Sequence, residues 1–112
     1  MVIITLLLTR SVYPLRLGPK AGKKYVDWVK DNPPDVSISK ILSIGVGSTE
    51  EGDILVIGIS QIMPGKEKDA LELAARQNVF LSTEVEGLKI KSEVIWDLAE
   101  AYKIIGMSGP DL

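Results

Sequence analysis

Ile38-Ser39-Lys40-Ile41-Leu42-Ser43-Ile44-Gly45-Val46-Gly47 and Asp53-Ile54-Leu55-Val56-Ile57-Gly58-Ile59-Ser60-Gln61-Ile62 stand on either side of Ser48-Thr49-Glu50-Glu51-Gly52. Two apolar runs joined by a short polar link that ends in glycine predict a β-hairpin. Neither arm alternates cleanly between apolar and polar positions, so the sheet that holds them is apolar on both faces. Met63-Pro64-Gly65 ends the second arm.

Before the hairpin, Asn32-Pro33-Pro34 stops a helix in which Tyr25, Trp28 and Val29 recur at helical spacing while Asp27, Lys30 and Asp31 point outward. Residues 10–22 carry Pro14, Gly18, Pro19 and Gly22 and read as a long loop. Val2 to Leu8, closed by Thr9, reads as the first strand. No basic residue precedes it, no small-residue cleavage pattern follows it, and it is too short to span a membrane, so a buried strand of a cytoplasmic protein is expected.

After the hairpin, a second helix opens at Lys66 and runs through Leu71, Ala74, Ala75 and Val79 toward Thr83, with Glu67, Asp69 and Glu72 near its positive end. Glu86-Gly87 breaks the chain. Leu88 to Trp96 then alternates, with Leu88, Ile90, Val94 and Trp96 on one face and Lys89, Lys91 and Glu93 on the other, the pattern of a charge-protected edge strand. Asp97-Leu98-Ala99-Glu100 resembles a capping box, opening a short helix that carries Ala101, Tyr102, Ile104 and Ile105 to a stop at Gly106. The tail, Met107 to Leu112, is expected to fray.

The order is β-α-β-β-α-β plus a terminal helical turn, a single α+β domain over residues 1–112 in the ferredoxin-like order. Its helices are too few and too short to cover both faces of a sheet that is apolar on both. The bare face calls for a partner, most simply a second copy, giving a sheet-to-sheet homodimer or a higher oligomer. A mean hydropathy of +0.19 fits an apolar surface hidden in an interface.

The formal net charge of −2 argues against a general nucleic-acid binder, which needs a dense basic surface. The absence of cysteine removes disulfides, thiolate catalysis and thiolate metal sites, and the absence of histidine removes imidazole ligation and the commonest general base. The acids are scattered and form no ligand loop, so neither a metal nor another cofactor is expected.

The element order with its bare sheet face resembles the dimeric α+β barrel superfamily, in which two ferredoxin-like protomers pack sheet against sheet. Glu51-Gly52-Asp53-Ile54-Leu55-Val56-Ile57 resembles the entry to the third strand of its small GYD-type members. Glu86-Gly87-Leu88 through Glu93-Val94, with Ala99-Glu100-Ala101-Tyr102-Lys103-Ile104-Ile105-Gly106-Met107, is similar to the carboxyl end of its small, largely prokaryotic domains. The superfamily includes cofactor-independent monooxygenases, haem-degrading enzymes, isomerase-like proteins and ligand-sensing domains. Its haem chemistry generally uses a histidine, which this chain lacks. The antibiotic-biosynthesis-type monooxygenases tend to use Asn, Trp and His together; Asn78, Trp28 and Trp96 are present here without the histidine.

Two residue groups are candidates for binding. Arg10, Arg16, Lys20, Lys23 and Lys24 form a basic stretch that could capture a small anion, or could simply be a solvated loop. Tyr13, Tyr25, Trp28 and Trp96 could wall an apolar pocket anchored by Asn78, the plainer alternative being that the two tryptophans fill the core. Thr5, Ser43 and Ser60 interrupt apolar strands; each could bond a ligand inside the barrel, and the simplest reading satisfies them on nearby backbone. The expectation is a homodimer that binds a small organic molecule or an anion at Arg10, Tyr13, Tyr25, Trp28, Asn78 and Trp96. A cofactor-independent monooxygenase- or isomerase-like enzyme and a structural or regulatory assembly module are the alternatives.

Overall fold

The computed structural model describes residues 4–112; the first two residues of the expected first strand, Val2 and Ile3, lie outside them. The elements run β1 (Thr5–Tyr13), a 3₁₀ turn (Leu15–Leu17), α1 (Gly18–Asp31), β2 (Ser39–Ser48), β3 (Ile54–Ile62), α2 (Glu67–Glu84), β4 (Lys89–Trp96) and α3 (Leu98–Ile104). All neighbouring strands are antiparallel in the order β2-β3-β1-β4, so two split β-α-β units interleave. This is the ferredoxin-like α+β fold.

The hairpin forms as its sequence predicts. Gly52 takes φ +84° in the link, where its N–H donates to the Thr49 carbonyl at 3.0 Å and the Asp53 N–H donates to Thr49 Oγ1 at 3.2 Å. A β-bulge between Ile41 and Ser43 places Leu42 as the extra residue of β2.

Two boundaries differ from expectation. β1 runs on through Arg10, Ser11, Val12 and Tyr13, which pair with β3 and β4 and are not loop. α1 starts at Gly18, because Pro19 sits in the first turn, where its missing N–H costs nothing and its fixed φ suits the helix. At the other end of the chain, Asp97 occupies the N-cap of α3 without a side-chain cap bond, so no capping box forms. Glu100 pairs instead with Lys103 at 3.3 Å. Gly106 (φ +74°) ends α3 as expected, with the Met107 N–H donating to the Tyr102 carbonyl and the Gly106 N–H to the Lys103 carbonyl.

Register sorts the side chains by face. Thr5, Leu7, Thr9, Ser11 and Tyr13 of β1 look toward α1 and α2, because Leu7 packs with Ile62, Ala70 and Ala74 while Tyr13 packs against Ala21, Leu81, Val85 and Leu88. By the alternation of a strand, Leu6, Leu8, Arg10 and Val12 look the other way, beside Leu55, Ile57 and Ile59 of β3 and Ile95 of β4. That second face is apolar along β3 and charged along β4, with Arg10 between them, and both long helices lie opposite it.

The core is small. Among the described residues, eight apolar side chains are buried, and Ile62 and Val85 are the largest that are fully so. The chain exposes 7641 Å², against roughly 6,000 Å² for a compact monomer of this mass. Its radius of gyration is 15.6 Å, against roughly 13 Å for a compact domain of this length. The molecule is a thin, open slab.

Candidate functional site

Why the slab is open follows from α1. Its small face, with Ala21 set against Leu81 and Val85, leans on α2, and Trp28 stacks on Phe80 of α2 with ring centroids 5.5 Å apart. α1 packs mainly on α2, and its first turns also reach the sheet, where Ala21 shares a cluster with Tyr13. Between α1, α2 and the sheet lies a cavity of about 650 Å³.

Tyr25, Trp28 and Val29 of α1 form one wall, Ala70, Leu73, Ala74, Gln77 and Leu81 of α2 the next, and the strands the floor. At the β2 edge the floor is Ile41, Ile44 and Val46, which remain 47%, 48% and 73% exposed because no helix reaches them. The cavity therefore opens sideways over β2. Gly58 keeps the middle of the floor low; a Cβ there would meet only Ile44 Cγ1, at 3.8 Å.

Polar groups on the floor are hydroxyls in rows. β1 contributes Thr9, Ser11 and Tyr13, and β3 contributes Ser60. Ser11 is buried. Burial pushes the Tyr13 phenol above its ordinary pKa, so it stays a neutral hydroxyl through the physiological range. Among the described residues, Asp35 is the one carboxylate on the lining. Ser37 holds it ionised below the usual carboxylate range, its Oγ–H donating to Oδ1 at 2.6 Å and its N–H at 3.0 Å. Among the described residues, no lysine or arginine lines the cavity. An anion would find no counter-charge there, and an uncharged apolar molecule would be well received.

The structure brings Tyr13, Tyr25 and Trp28 together on this cavity. Arg10 is on the opposite face of the sheet, directly across from Lys91. With Lys89, Lys91, Thr49, Glu51 and Asp53 it lines a separate groove of about 280 Å³ whose charges are mixed. Trp96 shares the cavity-side parity of β4 but stands at the Thr5 end, 59% exposed and off the lining. Asn78 is behind the wall: its Nδ2–H donates to Ser92 Oγ at 3.0 Å, and Ser92 Oγ is 2.8 Å from Thr9 Oγ1, which does line the cavity. Of the strand hydroxyls read as structural, Ser60 is on the floor, and Ser43 pairs with Ile59 on the bare face. The polar residues at every second position of β1 were a signal for this floor, hidden because residues 10–13 read as loop.

No family model matches the chain, and no curated protein matches it. Among solved structures it is similar to the de novo designed protein Foldit4, at 8% identity over 84% of this chain and 97% of that one, with a TM-score of 0.56. It is also similar to a Caulobacter crescentus CB15 protein of the antibiotic biosynthesis monooxygenase-like fold, at 17% identity over 86% and 92% of the two chains and a TM-score of 0.47. The C-terminal domain of the MgtC protein from Mycobacterium tuberculosis aligns at 12% identity over 80% and 88%, with a TM-score of 0.46. The likeness to Foldit4 bears on the fold alone.

Proposed function

We propose that this protein binds a small, uncharged, largely apolar molecule between its helices and its sheet, and does so as a homodimer paired through the bare sheet faces. The observation that carries the binding reading is the cavity itself: about 650 Å³, walled by Tyr25, Trp28, Leu73 and Leu81, floored by hydroxyls. A volume of that size suits a ligand of one to three fused rings. The ionisable groups on the lining are Tyr13, Tyr25 and Asp35. Tyr13 is held neutral and Asp35 is exposed and tied to Ser37, so the site is better suited to holding a molecule than to moving its protons.

The pairing rests on Leu6, Leu8, Val12, Leu55, Ile57, Ile59 and Ile95, an apolar band on the face without helices that Arg10 interrupts and that Lys40, Lys89, Lys91 and Glu93 flank. A patch of this kind on a chain with excess exposed surface is the mark of an interface.

The test is titration with N-phenyl-1-naphthylamine, a neutral fluorophore that brightens in apolar surroundings. Wild-type protein should bind one molecule per chain. Gly58→Leu places a side chain into the floor without a backbone clash and should weaken binding at least tenfold while leaving the circular dichroism spectrum unchanged. Equal binding by the two proteins would refute the site.

A further inference from the structure

β2 is an edge strand of 10 residues, and its outer side is bare. From Lys40 to Ser48 its backbone hydrogen bonds go to β3, and the outward N–H and C=O groups meet no other group among the described residues. Such a row of donors and acceptors is a template for another strand unless something blunts it. At the opposite edge, β4 carries Lys89, Lys91 and Glu93. β2 carries one charge, Lys40, at its start, followed by Ile41, Leu42, Ile44 and Val46, each half exposed or more. The bulge at Leu42 disturbs only the first part of the strand, and Ser43–Ser48 pairs regularly with β3.

A strand laid beside that regular stretch must offer apolar side chains on the cavity side and small ones on the bare side. β2 itself meets both demands. Run antiparallel to its own copy about a two-fold axis at Gly45, it sets Ile44 opposite Val46 of the partner copy on the cavity side, and Ser43 opposite Gly47 of the partner copy on the bare side. A shift of one residue would set apolar side chains on the wrong face. The antiparallel direction also carries the start of each strand to the end of the other. Lys40 thereby comes beside Glu50 and Glu51 in the hairpin link of the other copy, and all three side chains are exposed.

We infer that β2 is a self-association edge, through which two copies join their four-stranded sheets into one continuous sheet. The inference goes beyond the pairing of bare faces, because a strand edge and a sheet face are separate surfaces and one chain has both to offer. It also bears on the cavity, which opens sideways over β2. Ile44 and Val46 of the partner copy continue the floor there, so the two cavities share it. One strand against one strand buries less than a standard interface, so the edges join at higher concentration than the faces.

Sedimentation velocity from about 10 μM to about 1 mM should show wild type growing beyond the face-paired dimer. Lys40→Glu alone and Glu50→Lys alone should each weaken that growth about tenfold, because each sets two like-charged pairs across the two-fold axis. An equal mixture of the two variants should recover it, since both pairs in the mixed contact are again opposite in sign. Wild type that gains no mass at the highest concentration overturns the second copy as occupant and leaves the edge to a strand of another protein. Variants that behave as wild type overturn the antiparallel arrangement.

A cross-link checks the register directly, because the chain has no cysteine of its own. Ile44→Cys and Val46→Cys chains, mixed and mildly oxidised, should form a disulfide with each other, since directly opposed residues of an antiparallel pair stand within disulfide range. Copies paired through their bare faces hold these two positions on the outer sides of both sheets, where they do not meet. No mixed disulfide, or one formed by either variant alone, overturns the axis at Gly45. The face pairing is judged separately, by Ile57→Lys.

Discussion

Ile57→Lys is the sharpest test of the proposed dimer. Ile57 is in the middle of β3 on the bare face, opposite Arg10 of β1 and Gly45 of β2. In the dimer each copy would lose the burial of one isoleucine, worth about 2 kcal/mol. Each would also bring an ammonium beside Arg10 into the interface, at a desolvation cost of several kcal/mol per ion. The cross-strand neighbour is itself a cation, so no relief comes from within the sheet. A two-fold axis counts every term twice, for a total of at least 8 kcal/mol, close to six decades in dissociation constant. A nanomolar dimer would become a millimolar one. Sedimentation equilibrium at about 10 μM would then show monomer or aggregate for the variant and dimer for the wild type. Val56→Lys is the control, since Val56 faces the cavity; it should stay dimeric and lose the fluorophore. If Ile57→Lys remains a folded dimer, the two chains do not meet through this face.

Val85, fully buried between α1, α2 and the sheet, should cost about 2 kcal/mol when cut to alanine. The check is the urea midpoint at a fixed protein concentration, with an unchanged slope. Ser37→Ala should raise the Asp35 pKa toward its ordinary value by removing the larger of the two hydrogen bonds that lower it. A depressed folded-state pKa contributes stability above the ordinary carboxylate value and loses it as the pH falls through the folded-state value. The variant should therefore lose part of that acid dependence, and a carbon-13 titration of Asp35 that matches wild type would refute the assignment.

The hairpin, α2 and the faces of β4 were legible because their apolar residues are spaced by the period of the element that holds them. β1 was cut short for a physical reason. Arg10 and Ser11 look like loop in sequence, yet Arg10 stands on the bare side beside Lys91 while Ser11 points into the cavity, so the strand continues. Pro19 reads as a break in sequence, although at the first turn of a helix proline is a start signal. The aromatic group Tyr13, Tyr25 and Trp28 was legible as a pocket wall, but Arg10 and Trp96 were joined to it only by composition. Nothing local tells that Arg10 belongs to the opposite face, because one residue of register moves every side chain across the sheet. The Thr9–Ser92 contact spans 83 positions of sequence. Only the pairing of β1 with β4 brings it about.

The proposed dimer and the proposed cavity draw on the same strand. The chain exposes about 1,600 Å² more than a compact monomer of its mass would, and a standard interface covers about 800 Å² on each partner. Pairing through the bare face thus accounts for about half of the surplus. Much of the remainder is apolar and in two places: α3, whose Leu98, Ile104 and Ile105 are exposed, and the cavity side of β2, at Ile41, Ile44 and Val46. β2 is an edge strand with a bulge at its centre and no helix above it, the least supported wall of the site. Its other side carries Lys40, Ser43, Gly45 and Gly47 toward the bare face, where a partner sheet would press against it. A partner that steadies one side of β2 steadies the cavity floor on the other, and a ligand seated on Ile41, Ile44 and Val46 returns the same free energy to the pairing. In the proposed dimer Gly45 and Gly47, which carry no side chain, would let a partner sheet come close to β2 while the ligand holds its other side.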